Sequence, residues 1–229
     1  MTSTTNATSK PGPVLTPDRM DYDVIIIGGG PSGLSTALHL QRTAPHLAQA
    51  SRILILEKEH YPRFKLCAGG LTIDAEILLK RLGLDVNEVP NVTADNIHFD
   101  FAGKGLNIRM RGQHVLRVIR RDEFDHWLAK NAESRGAEIR EGVTVKNIIT
   151  HSDKVIVETD QGIFQAQVVV GADGSNGITR RTIFPNATVN TARVLEIITP
   201  LNGGSVPVGT KHNSEHAYFE CSPVPENIA

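Results

Sequence analysis

Gly28, Gly30 and Gly33 stand in GxGxxG spacing, directly after the apolar run Tyr22–Ile27. Pro31 and Ser32 then lead into Leu34, Ala37, Leu38 and Gln41, which repeat at helical spacing. A strand that turns through glycines into a helix aims free backbone N–H groups and the positive helix end at an anion. In that setting Gly28 permits the tight turn, Gly30 lets a pyrophosphate approach the backbone, and Gly33 lets helix and strand pack closely. Pro31 fits the first helical turn, where a missing N–H costs nothing. Glu57 closes a second apolar run, Arg52–Glu57, and lies 24 residues beyond Gly33. An acid about 20 residues after the glycines accepts hydrogen bonds from ribose hydroxyls and repels a 2′-phosphate. FAD or NAD is therefore favoured over NADP here. Lys58, next to that acid, joins Gly28, Gly30, Pro31, Ser32, Gly33 and Glu57 as a candidate cofactor contact.

Three further segments carry polar side chains: Tyr61–Gly70, which has no periodicity, Arg121–Leu128 and Gly171–Arg181. Composition alone makes the first a basic loop ending in glycines and leaves Arg120 and Arg121 solvated. The third follows Val168-Val169-Val170, so it sits where a parallel sheet presents ligands, at the carboxyl end of a strand.

In their order these segments resemble the geranylgeranyl reductase family, within the wider group of flavoproteins similar to p-hydroxybenzoate hydroxylase. Pro62–Gly70 resembles the PRxKxCGG signature, with Ala68 standing between Cys67 and Gly69. Arg121–Leu128 resembles RxxFDxxL. Gly171–Arg181 resembles GADGxxSxxRR, with Gly177 where a serine is usual. The resemblance covers residues 22–181 and continues loosely through 192–200 and 218–225. It implies FAD as cofactor and NAD(P)H as electron donor. It places Arg63 and Lys65 in a loop beside the flavin, Arg121 against the cofactor with Arg120 as the alternative, and Asp173 and Gly174 near it. Cys67 becomes the candidate for a catalytic role, near flavin and substrate. The reaction implied is reduction of a C=C bond in an isoprenoid or other lipid substrate. The same motifs also serve hydroxylase-type flavin monooxygenases. A non-catalytic FAD-binding remnant or interaction module is the reading from another class, because no second GD-type motif of the complete family is found and the chain looks C-terminally truncated beside it. An NAD-only dehydrogenase ranks below all of these.

The elements needed to hold these residues follow from patterning. Residues 22–27 and 52–57 read as buried parallel strands joined by a helix over 31–42, a right-handed βαβ unit. A helix is expected over 72–82, with Thr72 as N-cap and Gly83 as its stop. Residues 95–119 alternate as an antiparallel excursion. An amphipathic helix follows over 122–135, with Phe124, Trp127, Leu128 and Ala132 on one face. Strands are expected at about 138–148, 154–159 and 163–170, the last buried through Val168–Val170. The fold class is α/β: a Rossmann-like FAD-binding βαβ domain with a mostly parallel sheet, plus part of an antiparallel, substrate-side sheet. The domain reading is a disordered tail over 1–20, an FAD-binding domain over 21–185, and the start of an incomplete substrate domain over 186–229.

Composition narrows the rest. Of 229 residues, 40% are hydrophobic and 21% charged, with net charge −1, so no global field favours nucleic acid or an anionic membrane. Cys67 and Cys221 form no CxxC pair and no Cys/His ligand cluster, which speaks against structural zinc. Reduced thiols are the simpler reading, a Cys67–Cys221 disulfide the other. The first 20 residues have no apolar core of a secretory signal, and no apolar run is long enough to span a bilayer. The location expected is cytoplasmic, with peripheral membrane contact left open for a lipid substrate. Nothing in the pattern speaks to oligomeric state.

Overall fold

In a computed structural model of the chain, the structure describes residues 21–49, 51–101, 104–188 and 216–220. The expected tail over 1–20, the stretch 192–200 and Cys221 lie outside the described residues. The chain divides into two compact units, residues 1–61 with 128–189, and residues 62–127 with 190–229.

The first unit is built on a six-stranded sheet. Its strands are β1 (Tyr22–Ile27), β2 (Ile53–Leu56), β8 (Glu138–Arg140), β9 (Val145–Thr150), β10 (Val155–Thr159) and β11 (Gly162–Gly171). Their spatial order is β8-β2-β1-β11-β10-β9. The four strands from β8 to β11 run parallel, and β10 and β9 add antiparallel to that edge. The continuous apolar sequences of β1 and β2 have a direct cause: Ile25, Ile26, Ile53, Leu54 and Ile55 are fully buried, as strands covered on both faces must be. Helices α1 (Pro31–Thr43) and α2 (Pro45–Gln49) separate β1 from β2. Leu34, Ala37 and Leu38 of α1 are fully buried. Its Gln41 also turns inward, donating to the Ala132 carbonyl at 2.7 Å. Helix α5 (Ile178–Ile183) follows β11.

The second unit holds two three-stranded sheets. One is β3 (Gly70–Thr72), β7 (Leu116–Ile119) and β4 (Asn91–Ala94), with β7 central and both pairings antiparallel. The other is β12 (His216–Glu220), β5 (Asn96–Phe101) and β6 (Lys104–Arg109). β5 and β6 form the expected antiparallel hairpin, while β12 adds parallel to β5. Helix α3 (Ile73–Arg81) starts at Thr72, whose hydroxyl accepts the Ala75 N–H, and ends before Gly83 at φ +70°. Helix α4 (Arg121–Ser134) has residues in both units.

Three expectations need correction. The strand expected over 138–148 is two strands, because Gly142 takes φ +70° and sends β8 and β9 to opposite edges of the sheet. Val168 is not buried: it is 52% exposed, and Val169 and Val170 are half-buried. A run of β-branched residues reports strand, but not whether both faces are covered. Trp127 is only partly buried, since its indole Nε1 donates outward to Glu88 at 2.9 Å.

Candidate functional site

In the first unit the glycine loop sits where three strands end. Gly28 N donates to the Leu56 carbonyl and Ala172 N to the Ile27 carbonyl, each at 2.8 Å. The end of β1 is thereby tied to β2 on one side and β11 on the other. Gly28 has φ +106°, and a Cβ there would stand 2.9 Å from Asp173 N with the Ala172 carbonyl closer still. Only glycine fits that backbone and that space. Gly33 has an ordinary φ, but a Cβ on it would overlap the Gly28 carbonyl. Loop and helix thus touch through their backbones, as the spacing predicts. No side chain caps α1 at Gly30, and no acid stands in its first turn. The first turn of this helix thus carries neither a capping side chain nor an acid of its own.

Glu57 stands beside that loop. Its carboxylate is buried, and it accepts Gly29 N–H at 2.7 Å and Glu59 N–H at 3.0 Å. Its own backbone is fixed by Glu57 N to Arg140 O and Val143 N to Glu57 O, both 2.9 Å. Tyr61 adds a contact that sequence reasoning missed: its hydroxyl donates to the Gly29 carbonyl. Aromatic residues in loops carry no periodic signal, so only the fold could reveal it. Lys58 is 69% exposed, with its ammonium 3.9 Å from Glu59.

Asp173 and Gly174 follow β11 beside the same loop. Asp173 Oδ2 accepts both Thr179 N–H at 3.0 Å and the Thr179 hydroxyl at 3.2 Å. Gly177 explains its own departure from serine, because a Cβ at that position would collide with the Asp173 carboxylate. Ser32, Gly171, Ala172, Asp173, Gly174, Thr179 and Arg180 line a cleft of about 380 Å³, with Ile183 and Phe184 on its apolar side. The cleft joins the α1 start to the Asp173 turn. A pyrophosphate fits this chemistry: backbone N–H groups, a helix end without an acid, and a wall of glycines.

The second unit carries the remaining candidates. Arg63 and Arg121 converge on Asp125, which is fully buried. Arg121 Nε and Nη2 bond the two Asp125 oxygens at 2.9 and 3.0 Å. That bond holds the Arg121 guanidinium above its ordinary pKa, with burial opposing and the Cys67 sulfur adding a second acceptor. Arg120, by contrast, is 66% exposed and pairs with Asp122 at 2.5 Å. Cys67 and Lys65 are exposed. Gly69, at φ +74°, packs its α-carbon against the Ile119 carbonyl, and Ile119 N donates back to Gly69 O at 3.0 Å.

A polar cluster that sequence reasoning missed lies nearby in the same unit. Arg117, buried on β7, contacts Glu76 at 3.1 Å, and donates to Asn87 at 3.0 Å and to Asn91. His114 lies 2.7 Å from Glu76. Burial pushes the Glu76 carboxyl up, but hydrogen bonds from Arg117 and His114 outweigh it and hold the group below its ordinary value. Among the described residues no cluster of His, Cys, Asp and Glu could hold a metal ion, and no helix is long and apolar enough to cross a membrane.

The family described as "FAD binding domain" matches residues 21–201. An uncharacterized protein of Methanosarcina barkeri is 30% identical over 161 residues, covering 70% of this chain and 39% of that protein. Protein FixC of Salmonella typhimurium is 27% identical over 193 residues, covering 77% of this chain and 44% of that one. The chain thus spans about two fifths of the length of these relatives. Among solved structures, p-nitrophenol 4-monooxygenase of Pseudomonas putida superposes with TM-score 0.59 at 21% identity, over 71% of this chain and 43% of that one. A geranylgeranyl bacteriochlorophyll reductase-like protein of Thermoplasma acidophilum gives 0.57 at 23%, over 67% and 39%. These two likenesses are likenesses of fold.

Proposed function

Since the chain belongs to the family of FAD-binding domains, we propose that it is the cofactor-holding part of a flavin-dependent oxidoreductase that reduces C=C bonds of an isoprenoid-type substrate with electrons from NAD(P)H. The observation that carries the reading is the uncapped start of α1, closed in by Gly28, Asp173 and the buried Glu57. In this reading the N–H groups of Ser32 and Gly33 hold the pyrophosphate, with Gly28, Gly30 and Pro31 shaping the turn. Glu57 accepts the adenosine ribose hydroxyls, and Lys58 lies at that rim. Asp173 and Gly174 order the opposite wall. Arg63, Lys65 and Arg121 are the basic contacts, and Cys67 is the residue nearest the chemistry. The bound flavin would supply hydride transfer, while the protein supplies binding, orientation and electrostatics. In this reading residues 21–185 are the FAD-binding domain and 186–229 belong to a substrate domain.

The Arg63–Gly70 segment supports the reductase, through its resemblance to the family signature. Fold likeness to a monooxygenase supports a hydroxylase as the second reading. The test is reduction of the FAD-loaded chain by NADH and by NADPH without oxygen, followed by addition of either an isoprenoid alkene or oxygen with a phenol. Reoxidation by the alkene, with a saturated product, is the expected result. Reoxidation by oxygen with a hydroxylated product would replace the reductase by the hydroxylase. FAD that neither nicotinamide reduces would leave binding without catalysis.

A further inference from the structure

Asp125 lies one helical turn beyond Arg121 in α4 and is fully buried. A buried carboxylate must be paired, and here two guanidinium groups share it. Arg121 binds side-on through Nε and Nη2, and Arg63 Nη2 lies 3.1 Å from Oδ2. The two side chains are only 16% and 10% exposed. Arg63 belongs to the loop that ends at Gly69, where Ile119 N–H holds the other side at 3.0 Å. Between those two anchors Phe64 and Leu66 project outward, 75% and 50% exposed. One carboxylate on α4 therefore pairs with both arginines, and through Arg63 it holds the loop as well.

We infer that Asp125 is a positioning residue, which locks Arg63 and Arg121 into one unit and holds the Arg63–Gly69 loop in the shape the proposed cofactor contacts require. The inference rests on the flavin-binding reading for its functional part and on geometry alone for its hold on the loop. Bidentate pairing fixes the plane of a guanidinium, which a single contact does not. Asn in this place has one oxygen and no charge: the two Nη2 groups can still share that oxygen, but Arg121 Nε loses its acceptor to an amide NH2, so the side-on pairing and the plane it fixes are lost. Glu keeps the charge but is a methylene longer, and displaces both.

The experiment uses the whole chain with Asp125→Asn, Asp125→Glu, Arg121→Gln and the Asp125→Asn/Arg121→Gln pair. Val86→Ala, buried in the same unit, serves as a control that weakens the core alone. Trypsin cleavage after Arg63 is followed by mass spectrometry without flavin, and FAD affinity by quenching of flavin fluorescence. Asp125→Asn is expected to speed cleavage after Arg63 about tenfold and weaken FAD about tenfold, with Asp125→Glu between it and the parent. Val86→Ala should change either by less than about twofold. Because the two residues act as one unit, Asp125→Asn should add less than about twofold to the FAD loss already caused by Arg121→Gln. Unchanged cleavage in Asp125→Asn, or losses of FAD affinity that multiply in the pair, would overturn the inference. If Asp125→Asn does not fold, Asp125→Glu carries the same comparison. A parent chain that takes up no FAD would sink the flavin reading, and the cleavage rates would still decide whether Asp125 holds the loop.

Discussion

Gly33→Ala separates the space a glycine leaves from the freedom its backbone allows. Gly33 has no unusual φ, so alanine meets no backbone strain there. Its Cβ would instead stand far inside the 3.0 Å that such atoms essentially never breach, against the Gly28 carbonyl, with Ile26 Cγ2 at 3.1 Å. The obstacle is backbone, which cannot swing away, so the start of α1 must draw back from the loop. Overpacking of this kind costs about 1–3 kcal/mol. Alanine recovers about 1 kcal/mol through helix propensity, so the net loss of stability is only about 0–2 kcal/mol. The effect on a phosphate is larger. A displacement of about 1 Å spoils N–H geometry that binding needs; misplacements of that size cost on the order of 100-fold in rate at catalytic sites. The expected signature is a small shift in the urea midpoint beside a fall of at least about tenfold in FAD affinity. Gly83→Ala is the matched control: φ is +70° with nothing within 4 Å, so it should lose about 1 kcal/mol of stability and no affinity. Gly33→Ala with FAD affinity intact would refute the assignment of this loop to the pyrophosphate.

Other consequences concern the framework. Glu76→Gln removes the carboxylate from buried Arg117, and should cost about 3 kcal/mol at neutral pH by chemical denaturation. The parent's Glu76 is held below its ordinary value, so its contribution is present above the usual carboxylate range and lost as pH falls through the depressed one. An acid-side slope of stability that survives in Glu76→Gln would argue against this origin. Tyr22 is pushed up to about 12, by burial first and then by its hydrogen bond to Glu138. The neutral phenol is therefore the form the fold favours. Its contribution is complete below about 10, the ordinary phenol value, and is lost as pH rises through about 12. Tyr22→Phe should flatten the fall in the urea midpoint across that alkaline range.

The parts legible in the sequence were those with local cause. Continuous apolar runs gave β1 and β2, the glycine spacing gave the turn into α1, and Thr72 and Gly83 marked the ends of α3. Alternation gave the β5–β6 hairpin. What stayed hidden depends on residues far apart in the chain. Nothing local says that Glu76, His114 and Arg117 meet, or that Tyr61 reaches Gly29. Asp125 did leave a trace: it shares the i, i+3, i+7 stripe of α4 with Leu128 and Ala132, and an acid on an apolar stripe signals a buried pair. The short helix α2 falls below the length at which periodicity can speak, and Gly142, inside what looked like one strand, was the signal that β8 and β9 part.

The central claim is that the glycine turn, Glu57 and the Asp173 wall form a site for FAD. The direct measurement is a titration of the purified, folded chain with FAD, read by flavin fluorescence and by absorbance after dialysis, with NADP alongside. Stoichiometric, saturable uptake of FAD that Gly33→Ala weakens, with no competition from NADP, is the predicted result. Folded protein that releases all FAD on dialysis and shows no saturable quenching would contradict it.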